Sequence, residues 1–379
     1  MGTIRKRADG RWEGRCAVGY DGKTGKRIYK SVYAPTQREV RQMLTKITAE
    51  KDEGTYLDPS TLRLSKWLEE WLGMYVSGSV KPYTYDAYSS VIRNHMIPKL
   101  GYIKLSELSP INIQLFYNSL LRDGLSAKTI KNIHGVLHRA LGKAVKLQMI
   151  KENPTDLCDL PRVVRKEIRP MENKDIETFL AEIRGHRFEL LYKVTLFTGM
   201  RQGEVLGLTW DCVDFESSTL YVNKQLQKSQ HIGGGTYELV TTKNSRGRVI
   251  TVAPTVMEYL RRQLAWQNRC KQAAGSGWDN PWNLVFTNEA GSHLCHMTVY
   301  AEFKKIVRKI GMPNERFHDL RHSYAVVALE SGDDIKTVQG NLGHATSSFT
   351  LDVYGHVSQK MRRQSADRME AFIKNVSNT

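Results

Sequence analysis

Two short polar motifs in the C-terminal half of the chain each contain an arginine. Arg201 lies in Thr-Gly-Met-Arg-Gln-Gly-Glu at residues 198–204, and Arg321 lies in His-Asp-Leu-Arg-His at residues 318–322. A guanidinium group stays charged, and its planar fork of donors matches the oxygens of a phosphate. Two such groups can hold both non-bridging oxygens of a phosphodiester while negative charge accumulates there. Glu204, one helical turn after Arg201, is a candidate to orient its guanidinium group.

Histidine and tyrosine residues near these motifs are candidates for proton transfer and nucleophilic attack. His318 could accept a phenol proton or share the phosphate, and His344 in Leu-Gly-His is expected to donate to a non-bridging oxygen. Tyr354 follows ten residues after His344. A phenolate is a competent nucleophile, but the free pKa of tyrosine is about 10, so neighbours must assist its ionisation. The alternative, Tyr324, shares a helix with Arg321 and is expected to be buried.

The spacing of His318 and His322 also permits a metal-site interpretation. With Asp319 between them, the pair resembles the His-Glu-x-x-His pattern of zinc peptidases. The shorter aspartate would hold the general base too far back, and only His344 offers a third ligand. We therefore expect no metal and no cofactor, and we interpret His322 as a structural residue.

Composition restricts the partners of the chain. Its 379 residues include 56 Lys and Arg against 39 Asp and Glu, a net charge of +17, and this excess is spread along the sequence. Such a charge favours a polyanion, most often nucleic acid. No apolar run approaches the ~18 residues of a membrane span. Five scattered cysteines without Cys-x-x-Cys predict neither a disulfide framework nor a zinc ribbon, and favour a reduced, cytoplasmic compartment.

Three segments with different patterning are expected to position these residues. Residues 1–58 alternate like a small sheet and end in a helix. Residues 59–160 show helical periodicity, with Ser126 as an N-cap, typical of four or five helices. Residues 161–379 mix helices with a few strands. The expected fold is multidomain α+β: a small N-terminal β-sheet plus helix, an all-α domain, and a mixed, mainly α domain with a small antiparallel sheet.

Basic residues in the first two segments are candidates for contacts with DNA. A β-ribbon fits the major groove, and the basic residues of the first segment alternate with aromatic ones. Basic residues on the helix after Ser126 are candidates for phosphate contacts, with a solvated face as the alternative for each. The candidates are Arg5, Lys6, Arg7, Arg11, Arg15, Lys26, Arg27, Lys128, Lys131, Arg139 and Lys143.

The four motifs, in this order and spacing, make the chain resemble the tyrosine recombinases of the phage-integrase family. The layout is most similar to the integrases of conjugative transposons. The resemblance rests on Thr-Gly-x-Arg-x-x-Glu at 198–204, His-Asp-Leu-Arg-His at 318–322, Leu-Gly-His at 342–344, and Tyr354 within Asp-Val-Tyr-Gly-His. It covers nearly the whole chain, although a small basic sheet at the N-terminus is less distinctive than the motifs.

The resemblance implies a site-specific recombinase that cuts and rejoins DNA through a covalent 3′-phosphotyrosyl intermediate, integrating and excising a mobile element without ATP or metal. It implies an arm-type DNA-binding domain at 1–58, a helical, SAM-like core-binding domain at 59–160 and a catalytic domain at 161–379. In the family a lysine on a β-hairpin protonates the departing 5′-oxygen. Lys243, between two expected strands, matches that position better than Lys228, which precedes a glycine-rich tip.

The resemblance also implies partners. These are double-stranded DNA at core and arm sites, and a homotetramer in the synaptic complex, with the amphipathic C-terminal tail exchanged between subunits; packing of the tail on its own domain is the alternative. The family admits an excision factor and a host DNA-bending protein, and it places the protein on the nucleoid.

Two other functions share parts of this pattern. A type IB topoisomerase uses the same chemistry but relaxes DNA as a monomer, and an architectural DNA-binding protein could retain a vestigial catalytic set. Two DNA-reading segments and the tail favour the recombinase, and no motif position is lost.

Overall fold

The computed structural model describes residues 2–20, 27–52, 62–164, 170–228, 236–242, 247–343 and 359–377. The chain forms two compact units, Met1–Val164 and Arg165–Thr379. Within the described ranges, no helix combines the length and apolar character needed to cross a membrane. Small antiparallel sheets and a helical majority confirm the predicted α+β class.

The first unit begins with a three-stranded antiparallel sheet in the order β1-β2-β3, covered on one face by a helix. A small core of Cys16, Ala34, Val40 and Leu44 joins the helix to the sheet. Gly14 allows their close approach, because a Cβ there would lie 2.4 Å from Val40 Cγ1. The elements are β1 (Thr3–Lys6), β2 (Trp12–Tyr20), β3 (Arg27–Ala34) and α1 (Gln37–Asp52).

The rest of the first unit is helical, and its helices begin where the sequence supplies caps. Ser126 Oγ accepts from the backbone N–H of Thr129 at 3.1 Å, so the predicted N-cap is confirmed. Ser109 forms a capping box with Asn112. The helices are α2 (Leu64–Trp71), α3 (Pro82–Val91), α4 (Ile97–Leu100), α5 (Pro110–Arg122) and α6 (Ala127–Lys146), with π-helical turns Leu72–Val76 and Ile92–Met96 continuing α2 and α3.

The second unit surrounds one large apolar core with helices and two small sheets. Its helices are α7 (Asn173–Glu182), α8 (Glu189–Thr198), α9 (Gln202–Leu206), α10 (Pro254–Ala274), α11 (His296–Lys309), α12 (Asp319–Glu330), α13 (Ile335–Leu342) and α14 (Gln359–Ser377). Its strands are β4 (Val213–Asp214), β5 (Thr219–Val222), β6 (Lys224–Lys228), β7 (Tyr237–Thr241) and β8 (Arg248–Thr251), paired antiparallel as β4-β5-β8 and β6-β7.

Strand β6 packs directly on the short helix α9. A Cβ on Gly207 would lie 2.5 Å from the backbone nitrogen of Leu226, so only glycine permits this approach. Strands β1, β4 and β6 were not predicted, because they are short and carry few apolar residues. The expected N-terminal turn at 21–25 and the glycine-rich tip at 233–235 lie outside the described residues.

Candidate active site

The first motif is a sharp reversal between α8 and α9. Helix α8 ends at Gly199, whose φ of 64° is left-handed. A Cβ at this glycine would also lie 2.5 Å from Tyr324 Cδ1, so both the backbone conformation and the available space require glycine. Arg201 then caps α9, and its backbone N–H donates to Glu204 Oε2 at 2.9 Å. The reversal fixes the position of the Arg201 side chain.

Glu204 is 1% exposed and lies between two arginines. It accepts from Arg201 Nη1 at 2.7 Å and from Arg248 Nη1 and Nη2 at 3.1 and 2.7 Å. Burial alone would raise the pKa of this carboxyl. Hydrogen bonds and charge from Arg248, followed by the charge of Arg201, lower its pKa to about 2. Glu204 is therefore ionised and holds both guanidinium groups in place.

Arg321 is the second predicted arginine, and it is 1% exposed on α12. Its Nη1 donates to the carbonyl oxygen of Gly199 at 2.7 Å, and its Nη2 donates to that of Leu342 at 2.5 Å. One guanidinium group thus joins the reversal before Arg201 to the end of α13. The first two motifs and the start of the third are in direct contact.

Three consecutive carbonyl groups at the end of α13 each accept from a different arginine. Asn341 accepts from Arg248 Nε at 2.7 Å, and Leu342 accepts from Arg321 as described. Gly343 accepts from Arg201 Nη2 at 3.4 Å. The C-terminal end of a helix carries partial negative charge, which stabilises nearby cations. We call Arg201, Arg248 and Arg321 the arginine cluster; it converges on the backbone just before residue 344.

His318 lies at the start of α12 with an accessible ring. Its partly buried surroundings and then the positive charges of Arg321 and Arg201 lower its pKa to about 4. His318 is therefore neutral at pH 7 and able to accept a proton. The His322 ring meets it edge-on at 4.9 Å between centroids and is 5% exposed, in line with a structural role.

The other candidate nucleophile, Tyr324, is engaged elsewhere. It is half-buried, and burial raises its pKa. Its hydroxyl accepts from Asn341 Nδ2 at 3.0 Å. Lys243, His344 and Tyr354 lie outside the described residues. Lys228, the alternative to Lys243, is described and is the exposed last residue of β6. Among described residues, no three His, Cys, Asp or Glu side chains are grouped as metal ligands.

Comparison with known proteins places this site in a family. The model of the phage integrase family matches residues 169–361, a range that contains all four motifs, and that of its N-terminal SAM-like domain matches residues 63–121. A XerC-like tyrosine recombinase from Caldanaerobacter subterraneus subsp. tengcongensis is 30% identical, with 93% of this chain and 94% of the relative covered. The chain belongs to the phage integrase family of tyrosine recombinases.

Solved structures of other recombinases share the fold. The Tn1549 transposon integrase in complex with a circular intermediate DNA has a TM-score of 0.67 at 22% identity, with 82% of this chain and 100% of that chain covered. The lambda integrase tetramer bound to a Holliday junction has a TM-score of 0.56 at 18% identity, with 91% and 96% covered. The family and the fold make this chain a site-specific DNA recombinase, a strand transferase of the kind encoded by mobile elements.

The candidate DNA-binding residues of the recombinase fall into two sets. On the N-terminal sheet, the Arg15 guanidinium lies 4.5 Å from the centroid of Tyr29, and Arg7 lies 5.3 Å from that of Tyr33. Arg5 donates to Glu13 at 2.8 Å. In this set, Lys6 and Arg27 are exposed, Arg11 pairs with its neighbour Asp9, and Lys26 lies outside the described residues.

The second set occupies one face of α6, at about 100° of rotation per residue. Lys128 and Lys131 are exposed to solvent. Arg139 is exposed but hydrogen-bonds to the hydroxyl of Tyr88, and the Lys143 amine lies 4.3 Å from the centroid of Tyr75. The opposite face of α6 is buried in the helical core. We call these four residues the α6 basic face.

Sequence reasoning missed Arg248, the third member of the arginine cluster. It occupies the first position of β8, where an arginine followed by Val249 and Ile250 is indistinguishable from an exposed strand residue. Its partners are Glu204, 44 positions earlier, and Asn341, 93 positions later. Only the assembled fold brings these three residues together, so no local pattern could have identified it.

Proposed function

We propose that Arg201 and Arg321 hold the scissile phosphate of DNA while Tyr354 attacks its phosphorus. The observation that supports this most directly is the convergence of both guanidinium groups on adjacent carbonyls, Leu342 and Gly343. A pair of preorganised cations is what a phosphodiester transition state requires, because its charge develops on the non-bridging oxygens. His344 directly follows Gly343 in the sequence and donates to one of the non-bridging phosphate oxygens.

The proposed reaction conserves the energy of the phosphodiester bond. Tyr354 Oη forms a bond to phosphorus as the bond to the 5′-oxygen breaks, giving a 3′-phosphotyrosyl link and a 5′-hydroxyl. His318, neutral at pH 7, accepts the phenol proton or shares the phosphate, and Lys243 donates a proton to the leaving oxygen. The 5′-hydroxyl of a second strand then reverses these steps and reseals the DNA without ATP.

We assign residues 1–58 to arm-type DNA, 59–160 to core-type DNA and 161–379 to catalysis. Aromatic contacts that order Arg7 and Arg15 support the first assignment. The α6 basic face, opposite a buried face, and the SAM-like match at 63–121 support the second. Of the predicted contacts, Lys128 and Lys131 are the simplest to assign to phosphates, since both are exposed.

The assembly we propose is a homotetramer on two DNA duplexes, as the lambda integrase forms on a Holliday junction. Helix α14 exposes an apolar stripe at helical spacing, which supports exchange of this tail between subunits. The stripe consists of Met369, Phe372, Ile373 and Val376. An excision factor and a host DNA-bending protein complete the proposed partners, on the nucleoid of the cytoplasm.

A nicked duplex tests the proposal. In a library of randomised duplexes with a nick near the scissile position, cleavage releases a short strand and traps the chain on the 3′-phosphate. The wild-type chain should capture a defined set of sequences covalently, and Tyr354→Phe should capture none while still binding them. Capture by Tyr354→Phe would contradict the assignment of the nucleophile.

The same duplexes separate the alternatives. A recombinase recovers particular sequences and joins strands between two duplexes. A type IB topoisomerase would relax supercoiled plasmid without sequence preference, and an architectural protein would capture nothing. Either result would overturn the integrase function.

A further inference from the structure

Arg248 makes three hydrogen bonds within the site. Its side chain is 13% exposed and bonds to both carboxylate oxygens of Glu204. Its Nε also donates to the carbonyl oxygen of Asn341 at 2.7 Å. One guanidinium group therefore fixes the carboxylate that orients Arg201 and the end of the helix that precedes His344.

Arg248 also lies at the C-terminal end of the segment that contains Lys243. Thr242 directly follows β7 of the β6-β7 sheet, and Arg248 begins β8 of the β4-β5-β8 sheet. At one end, the backbone N–H of the buried Thr242 donates to the carbonyl oxygen of Asn223 at 3.2 Å. At the other end, Arg248 makes the contacts described above. Residues 243–247 separate these two ends in the sequence, so Lys243 comes directly after the first of them.

The space around Arg248 leaves little freedom for another arrangement. Gly343 lies against it: a Cβ there would be 3.0 Å from Arg248 Cδ and 3.1 Å from Nη1. Gly343 also has a left-handed φ of 64°, which ends α13. Glu204 Oε1 accepts from Arg201 and Arg248 together, so loss of one donor changes the orientation of the carboxylate toward the other.

We propose that Arg248 is a positioning residue for strand cleavage that orients three catalytic side chains, Arg201, Lys243 and His344. Arg248 itself does not touch the DNA. The proposal rests on the roles given to those residues in the proposed function. An ammonium group is a point charge and cannot bond a carboxylate in two places and a carbonyl at once. Lysine should therefore fail to replace this arginine, although it conserves the charge.

The test compares Arg248→Gln and Arg248→Lys with the wild-type chain on one duplex recovered by covalent capture. Single-turnover rates of covalent complex formation are measured at saturating protein, and the Kd is measured separately. We expect rates about 50-fold lower for Arg248→Gln and still at least about 10-fold lower for Arg248→Lys, with Kd changed by less than about 3-fold.

Lys193→Gln is the matched control. Lys193 and Glu189 form a partly buried ion pair in the same unit, with side-chain exposures of 15% and 10%. Removing it should lower the Tm to a similar extent and leave the cleavage rate within about 2-fold of wild type. If both Arg248 variants cleave as fast as Lys193→Gln, the proposal is wrong and Arg248 only stabilises the fold.

A second substrate tests the connection to Lys243. Sulfur in place of the 5′-bridging oxygen leaves readily without a proton, so it removes the need for the general acid. The defect of Arg248→Gln should shrink from about 50-fold to below about 10-fold on this substrate. An unchanged defect contradicts the connection to Lys243. A wild-type chain that captures no duplex contradicts the proposed function, whereas wild-type capture matched by Arg248→Gln contradicts this inference alone.

Discussion

The arginine cluster and the α6 basic face both present positive charge, but they differ in how far their charged side chains are buried and hydrogen-bonded. Arg321 is 1% exposed and bonded to two backbone carbonyls, and Arg201 and Arg248 share the buried Glu204. On α6, Lys128 and Lys131 are open to solvent. In the cluster, each guanidinium group has a fixed direction before any substrate arrives.

Under the proposed function, this difference separates two uses of positive charge on DNA. A cation whose position is fixed costs no reorganisation in the transition state, so it acts on the rate of cleavage. A mobile, solvated cation neutralises a phosphate and releases a counterion, so it acts on affinity and on the dependence of affinity on salt. Substitutions in the two regions should therefore change different measurements.

The largest effect is expected for Arg321→Lys. One ammonium group cannot reach the carbonyls of Gly199 and Leu342 while it also holds a phosphate. The single-turnover cleavage rate should fall by about 10³-fold. Arg308→Lys, an exposed exchange on α11, is the control and should leave the rate unchanged. A loss of DNA affinity as large as the loss of rate would break the distinction between the two regions.

Glu204→Gln should give the next largest effect. The amide accepts fewer hydrogen bonds and leaves two arginines without a counterion, so the free energy of unfolding at pH 7 should fall by about 3 kcal/mol. The cleavage rate should fall by about 10²-fold, since Arg201 loses its orientation. Chemical denaturation and single-turnover cleavage measure the two quantities.

The pH dependence of Glu204→Gln follows from the lowered pKa. The folded chain holds Glu204 at a pKa of about 2, against an ordinary value of 4.5. Its contribution to stability is complete above pH 4.5 and is lost as the pH falls toward 2. The deficit of the variant should therefore be largest above pH 4.5 and shrink below it. A deficit that is independent of pH would show that Glu204 stabilises the site only by packing.

The sequence could predict residues that lie in local patterns, but not contacts that form only in the folded chain. Arg201, Glu204, His318 and Arg321 were identified because they occur in short motifs, and the helix beginning at Ser126 was identified from its cap and periodicity. Arg248 could not be found, because its partners are distant in sequence. Strand β6 was missed since its pairing with β7 and its contact with Gly207 are tertiary. The catalytic roles of Arg201, Glu204, His318 and Arg321 stay predictions, as do those of Lys243, His344 and Tyr354.

Lys131→Gln tests the other side of the comparison. If Lys131 neutralises one phosphate, the slope of log K against log salt should become less negative by about 0.9. The Kd at physiological salt should rise by roughly 5-fold, with the cleavage rate at saturation unchanged. Lys104→Gln, an exposed lysine of the same unit that pairs with Glu107, should leave the slope as it is. A changed cleavage rate in Lys131→Gln would mean that α6 also takes part in catalysis.

The smallest effect concerns Glu315, a half-buried carboxyl whose surroundings raise its pKa, in contrast to those of Glu204. Its Oε2 makes no hydrogen bond within the described part of the chain, and burial and then the charge of Asp319 raise its pKa to about 7. Between pH 4.5 and 7 the folded chain keeps a proton that the unfolded chain has lost, so this group lowers stability as the pH rises. Glu315→Gln should therefore raise the free energy of unfolding at pH 8 by roughly 1 kcal/mol, after allowance for partial exposure, and leave it unchanged at pH 4.

Thermal unfolding at both pH values measures this change in stability, with the exposed Glu258→Gln as control. Equal gains at both pH values would place the cause in packing, and no gain would mean that Glu315 finds a partner when it ionises.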